Sequence, residues 1–345
     1  MPTPPPLLSL ARGRWSLCVL LLLAWVQSAA AATAASSPGA DALQRAHAAV
    51  VGLQVTATAG ARSAETLGRQ RSGSGVVIGS DGLILTIGYL MLEAENIQVI
   101  TQDQRTLPAR AVGYDLATGF GLVRPLLPLR GIAPAPLGSI EELAPGEPLM
   151  TATGGEDGEV AVTQVVGKRS FSGYWEYHID AALFTSPPID NHSGAAVFNR
   201  RGELLGIGSL LVGDASGRGR PQPGNMFVPV DLLKPILAEL QQSGSTRRSQ
   251  RPWIGINSTE QGGRVQVVRV TRDSPAEAGG IRPGDVVIAV DGTRVGSLEE
   301  FYKKLWDRAS PEAEVKLTVQ HGGEVRQVTV QPVDRMKTMA KPAGT

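Results

Sequence analysis

Gly73-Ser74-Gly75-Val76-Val77-Ile78-Gly79-Ser80-Asp81-Gly82-Leu83-Ile84-Leu85-Thr86 decides the fold class of this 345-residue chain. Two apolar runs flank the tight polar turn Ser80-Asp81-Gly82, and neither is long enough for a helix, so the stretch reads as two short strands. The same pattern recurs outward at 50–55, 97–101, 160–166, 195–198 and 204–211, with glycine or polar turns such as Arg200-Arg201-Gly202 between runs. Short strands at this spacing, without long helices between them, indicate a barrel or sandwich. Composition agrees, with 41 glycines and only 5% aromatic residues. An apolar content of 42% is enough to bury a core, and the length allows two or three domains at roughly 100–200 residues each. A formal net charge of +1 provides no basic field to gather phosphates, so nucleic acid is not expected as a partner.

The ends read differently from the middle. Arg12 and Arg14 precede an apolar run over 15–26, and small residues follow at 28–32. That is the pattern of a secretory signal over residues 1–32, with an uncleaved inner-membrane anchor as the alternative. Either way the bulk of the chain is expected to be exported, periplasmic and soluble after cleavage, with membrane contact only if the segment is kept. Cys18, the only cysteine, lies inside this run, so a cleaved chain has neither a disulfide nor a thiol nucleophile. Residues 33–47, rich in Ala and Ser, read as a flexible leader. Leu232, Leu233, Ile236, Leu237 and Leu240 recur at helical spacing, with Asp231 placed to cap them. The polar stretch 242–250 reads as a linker.

A last unit, 251–335, alternates again at 265–270, 286–290, 315–320 and 325–330. Ser297 and Glu300 form a capping-box pattern, and Leu298, Phe301 and Leu305 share one face of the helix that follows. This is a compact α+β unit, and 336–345 reads as a disordered tail.

The opening stretch resembles the start of the HtrA/Deg serine-protease barrel. Val112-Gly113-Tyr114-Asp115, the run from Asn191 to Ile207 and Asn225-Met226-Phe227-Val228-Pro229-Val230 resemble later segments of that domain, in order. Arg251-Pro252-Trp253-Ile254-Gly255-Ile256 and Gly280-Ile281-Arg282-Pro283-Gly284-Asp285-Val286-Val287 resemble the opening and central hairpin of a bacterial PDZ domain. The resemblance covers roughly residues 48–335. It implies a mostly β protein: a trypsin-like double six-stranded β-barrel over 48–241, then the α+β PDZ domain.

The resemblance also allows the chemistry to be checked. Amide hydrolysis by serine needs a base, a carboxylate that orients it, and backbone donors for the oxyanion. The family's nucleophile falls on Ser193, its histidine on Tyr89 and its aspartate on Gly119. A phenol with a reference pKa near 10 is a poor base at neutral pH, and glycine orients nothing. Around Ser193 the family's Gly-Asn-Ser-Gly-Gly-Pro reads Asn191-His192-Ser193-Gly194-Ala195-Ala196. The preceding loop, with Ser186-Pro187-Pro188, is longer than the family's spacing, and a stiff proline pair should reshape it.

Four histidines exist. His47 and His321 read as solvated and His178 as ordinarily packed, while His192 adjoins Ser193, where neighbouring side chains diverge. No His/Cys/carboxylate cluster has metal-ligand spacing and no Gly-Lys-Ser/Thr loop occurs, so neither metal nor cofactor is expected.

By resemblance, the backbone at Trp253, Ile254, Gly255 and Ile256 would hold a terminal carboxylate. The peptide would add as a strand between that edge and the helix from Leu298. A PDZ domain that only packs on the barrel, or organises an assembly, is the alternative. HtrA relatives build trimers through aromatic residues near the N-terminus, and no Phe, Trp or Tyr lies between residues 33 and 88. The expectation is an exported, catalytically inactive HtrA-like homologue. It would bind C-terminal peptides or unfolded proteins as a sensor or scaffold in envelope protein quality control. Two alternatives stand beside it: a weak serine endopeptidase using Ser193, and a subunit, homo-oligomeric or joined to an active HtrA partner.

Overall fold

Six strands close the first barrel in the computed structural model, which describes residues 38–339. They are β1 (Val50–Ala57), β2 (Gln70–Val77), β3 (Ile84–Ile87), β4 (Ala94–Ile100), β5 (Thr106–Tyr114) and β6 (Phe120–Pro125), in the order β1-β2-β3-β6-β5-β4. The second barrel holds β7 (Pro148–Ala152), β8 (Val160–Gly173), β9 (Tyr177–Ser186), β10 (Ala196–Phe198), β11 (Leu204–Val212) and β12 (Gly224–Pro229), in the order β10-β11-β12-β9-β8-β7. Closure leaves no free sheet edge, and each barrel interior is filled by side chains. Every residue of β3 and of β12 is buried. The apolar runs 83–86 and 225–230 are therefore continuous rather than alternating, as strands covered on both faces should be.

Strands β5, β7 and β9 are not evident in the sequence. Pro108 sits inside β5 and Pro148 opens β7, and a proline within a run argues against a strand. β8 extends to Gly173, well past the apolar run 160–166, because its second half pairs with β9 as far as Gly173–Tyr177.

The helices correct three expectations. Helix α1 (Pro38–Ala48) occupies residues read as flexible leader, and its Ala46 is buried in the core. After the short helix α2 (Ala64–Leu67), helix α3 spans only Leu237–Ser243 and is not capped by Asp231. Pro235 lacks an N–H and disfavours helix at the residue before it, so the periodic run splits there. The Asp231 carboxylate instead accepts from Ile140 N at 3.0 Å. Residues of the linker are not free either, since Thr246 and Ser249 are both buried.

The C-terminal unit has β13 (Pro252–Trp253), β14 (Ile256–Gln261), β15 (Arg264–Val270), β16 (Val286–Val290), β17 (Thr293–Arg294), β18 (Val315–His321), β19 (Glu324–Val330) and β20 (Val333–Asp334). β13 pairs with β20, and the main sheet runs β14-β15-β16-β18-β19, with β14 at its edge. Ser274 caps α4 (Pro275–Ala278) and Ser297 caps α5 (Leu298–Trp306). At α5 the capping box forms, Ser297 Oγ accepting from Glu300 N at 3.1 Å and Glu300 Oε2 accepting from Gly296 N at 2.8 Å. The buried face of α5 is Leu298, Phe301, Tyr302 and Leu305.

Two further readings change here. The start of the expected tail forms a 3-10 turn, Arg335–Thr338, capped by Asp334. His321 is not merely solvated, because its Nδ1 lies 2.8 Å from Oδ1 of the buried Asp285. The signal segment, Cys18, residues 33–37 and residues 340–345 lie outside the described residues. None of the described helices is long and apolar enough to cross a membrane.

Candidate functional site

Tyr89 sits in the 3-10 turn Gly88–Met91 that follows β3. The β3–β6 register pairs Ile87 with Phe120, and Gly88 N donates to the Gly119 carbonyl at 2.6 Å. The two positions that resemble the histidine and the aspartate are thus neighbours in space. Arg71, buried on β2, braces the turn: its guanidinium donates to the carbonyls of Tyr89 (3.0 Å) and Leu92 (2.8 Å), and to Ser63 Oγ (2.7 Å). Ser193 lies on the β9–β10 connection, where its carbonyl accepts from Ser74 N at 2.9 Å. Gly194 N donates to the Gly208 carbonyl, also at 2.9 Å. One strand from each barrel therefore holds the loop at the junction.

The Tyr89 hydroxyl lies 2.7 Å from Ser193 Oγ and 3.0 Å from the Ser209 carbonyl, with one proton to share between them. Burial pushes the Tyr89 phenol up to about 12, against the opposing hydrogen bond from Ser193. It therefore keeps its proton at neutral pH and is a poor base for the serine beside it. Among the described residues, Tyr89 is the side chain hydrogen-bonded to Ser193 Oγ.

Gly119 has φ +84°, and a Cβ added there would lie 3.5 Å from the Tyr177 hydroxyl. That hydroxyl already donates to the Thr118 carbonyl at 2.6 Å. His192 turns away from Ser193: its Nδ1 and its backbone N each lie 2.8 Å from the Asp190 carbonyl. This bond between residues two apart makes a three-residue turn just before the serine.

His178 is buried, with Nδ1 2.9 Å from Ser172 Oγ and Nε2 3.3 Å from Asp180. With Glu299 these are the described residues grouped closely enough to hold a metal. The Lys303 ammonium already lies 2.9 Å from Asp180 and 2.8 Å from Glu299, holding both carboxyls below their usual range. The group therefore has its cation, and it ties β9 to α5.

The carboxylate loop is the second feature. Ile254 N (3.2 Å), Gly255 N (2.7 Å) and Ile256 N (2.9 Å) all donate to the carboxylate of Glu176, which lies between β8 and β9. Burial raises the Glu176 carboxyl, while the three N–H donors and Arg335 pull it back. Trp253 flanks the loop through its pairing with Val333. Nothing in the sequence reading points to Glu176; the available signal is an acid after Gly173-Tyr174-Trp175, in a run without turn chemistry. Tyr89, Gly119, His192 and Ser209 from the barrels and Trp253 and Ile256 from the last unit line one cleft of 670 Å³.

Gly255 has φ +87°, and a Cβ there would sit 2.3 Å from Ser274 Cβ. Gly255→Ala is therefore expected to cost about 1–3 kcal/mol and to pull the loop off Glu176. Chemical denaturation checks the first effect and amide exchange at Ile254 and Ile256 the second. Unchanged stability would mean that the loop has room the structure does not contain.

Comparison with known proteins now bears on these features. Residues 73–207 match the trypsin-like peptidase domain family and residues 252–331 the PDZ domain family. The chain is 26% identical to a probable periplasmic serine endoprotease, DegP-like, of Hahella chejuensis over 80% of its own length and 60% of that protein's. It is 26% identical to the serine endoprotease DegS of Haemophilus influenzae, over 75% and 76% of the two lengths. Among solved structures, an HtrA-type protease, AlgW with tripeptide, superposes with TM-score 0.54 at 22% identity, covering 89% of this chain and 99% of that one. A serine endoprotease from Yersinia pestis does so with TM-score 0.53 at 24% identity, over 87% and 98%. The chain spans about 60% of the length of the DegP-like relative. Two six-stranded barrels followed by an α+β unit, matched in that order, support its place among the HtrA/Deg-type proteins, trypsin-like serine protease homologues with a C-terminal PDZ domain.

Proposed function

We propose that this chain is a catalytically inactive HtrA-like homologue that works by recognition, as a peptide- or protein-binding sensor or scaffold in envelope protein quality control. The observation that carries the reading is a phenol that keeps its proton at neutral pH, Tyr89, 2.7 Å from Ser193 Oγ, where a serine protease needs a base. Gly119, without a side chain, leaves no carboxylate to orient a base. Loss of triad function lowers turnover by roughly four to six orders of magnitude. The HtrA-type structure solved with a tripeptide supports peptide binding, and the periplasmic relatives support export. The three converging N–H groups of residues 254–256 supply the matching chemistry here, because such a nest takes a carboxylate.

The purified protein is expected to degrade unfolded casein no faster than its Ser193→Ala variant, and a fluorophosphonate probe is expected to leave Ser193 unlabelled. Activity lost on Ser193→Ala, or stoichiometric labelling, would return the chain to the working endopeptidases.

A further inference from the structure

The PDZ carboxylate loop already holds a carboxylate, and the chain supplies it. β8 and β9 join through a three-residue loop, Tyr174-Trp175-Glu176, closed by the pair Gly173–Tyr177. The last position of such a loop takes a left-handed backbone and favours glycine. Here it is Glu176, at φ +57°, a conformation that costs a side-chain-bearing residue about 1 kcal/mol or more. In return, the Glu176 side chain meets the three N–H groups of Ile254, Gly255 and Ile256. Three donors on two oxygens suit the carboxylate form, which only accepts.

The rest of the loop also behaves as a bound peptide. Ser258 N, on the edge strand β14, donates to the Tyr174 carbonyl at 2.9 Å. Tyr174 stands two residues before the carboxylate bearer, the interval at which an added strand repeats its pairing with one edge. From the opposite wall, Tyr302 on α5 donates its hydroxyl to the Gly173 carbonyl at 2.8 Å and accepts from Glu176 N at 3.3 Å. The loop thus lies between β14 and α5, and Glu176 itself is buried. Arg335 adds a 3.4 Å bond to the Trp175 carbonyl, and the group of His178, Asp180, Glu299 and Lys303 fastens the hairpin's base to α5.

We propose that the 173–176 hairpin is the PDZ domain's own ligand. The Glu176 carboxylate stands in for a peptide C-terminus, and an outside peptide binds only by displacing it. This deepens the recognition reading and rests on it for the identity of the competitor: a peptide ending in a free carboxylate on an apolar residue. It also makes PDZ occupancy two-state, since the nest cannot hold both carboxylates.

The test uses the full chain, its Glu176→Ala variant and the isosteric Glu176→Gln variant. The side-chain amide introduced by Glu176→Gln would face the Ile254 N–H donor to donor, so this variant should release the loop while changing the fold least. A fluorescent hexapeptide ending in valine, with a free or an amidated terminus, is titrated against each. The free-carboxylate peptide is expected to bind Glu176→Ala at least tenfold tighter than the unmodified chain, with Glu176→Gln intermediate and the amidated peptide weak throughout.

Amide exchange at Ile254, Gly255, Ile256 and Ser258 gives a readout that needs no peptide: protected in the unmodified chain, fast in both variants. Protection lost without peptide binding to any form would support the hairpin ligand and refute the peptide-sensor reading. Unchanged exchange in a folded Glu176→Gln variant, or equal peptide affinity for all three proteins, would overturn the proposal.

Discussion

Tyr89→His combined with Gly119→Asp, which restores the side chains that the resemblance puts at the site, is expected to leave casein turnover near the Ser193→Ala background. Two features outlast the exchange. His192 N closes a turn onto the Asp190 carbonyl immediately before Ser193, and Asn191 and Ala195 stand where the family has glycines. Each oxyanion donor out of place costs about two to three orders of magnitude in turnover.

The exchange also has a structural cost. Gly119 at φ +84° strains any side chain placed there. Losing Tyr89 removes its bonds to Ser193 Oγ and the Ser209 carbonyl. Together these amount to about 2–4 kcal/mol of stability. Casein release and urea denaturation, run on the double variant beside the unmodified protein, check both effects. Robust hydrolysis would show that the site had lost only two side chains and that the loop before Ser193 is sound.

The barrels are legible in the sequence where a run of branched apolar residues is bounded by turn residues. Residues 83–86, 97–101 and 204–211 are runs rich in Leu, Ile and Val, and turns such as Ser80-Asp81-Gly82 punctuate them. β5 is not legible, because Pro108 interrupts it and only one of its nine residues is buried. The positions of Tyr89, Gly119 and Ser193 come from resemblance, but that the phenol lies against the serine oxygen comes only from the fold. The Tyr89–Ser193 bond joins residues 104 apart in the chain. Glu176 marks the limit most sharply. A buried acid looks like any exposed acid in a sequence until its partners are known, and its partners lie 78–80 residues downstream. The linker misleads for a related reason: Thr246 and Ser249 stand in a polar stretch, yet they are the partners of a buried carboxylate.

That carboxylate is Asp115, which is 1% exposed. Its Oδ2 accepts from Thr118 N (2.9 Å) and Thr118 Oγ1 (2.6 Å), and its Oδ1 accepts from Ser249 Oγ (2.6 Å) and from Thr246 Oγ1. Ser249 Oγ in turn accepts from Leu116 N at 2.9 Å. Arg251, largely buried, has its charge supported first by Asp115, and its guanidinium stacks 4.1 Å from the Trp306 ring of α5. One carboxylate in the first barrel therefore pins the segment that leads into the PDZ unit.

Removing it leaves the buried donors of Thr118, Thr246 and Ser249 unmet, a loss of about 2–4 kcal/mol. Asp115→Ala is expected to lower the urea midpoint accordingly. It should also free residues 246–251, so that trypsin cuts at Arg247 or Arg248 much faster than in the unmodified chain. Asp115→Asn should fall between the two, since its amide nitrogen meets donors on one side. The proteolysis is the sharper readout: a general loss of stability exposes many arginines, whereas release of this segment exposes these two first. If Asp115→Ala costs less than about 1 kcal/mol, the range of an ordinary single hydrogen bond, and these sites stay resistant, the linker is held by packing alone and Asp115 does not set the position of the PDZ domain.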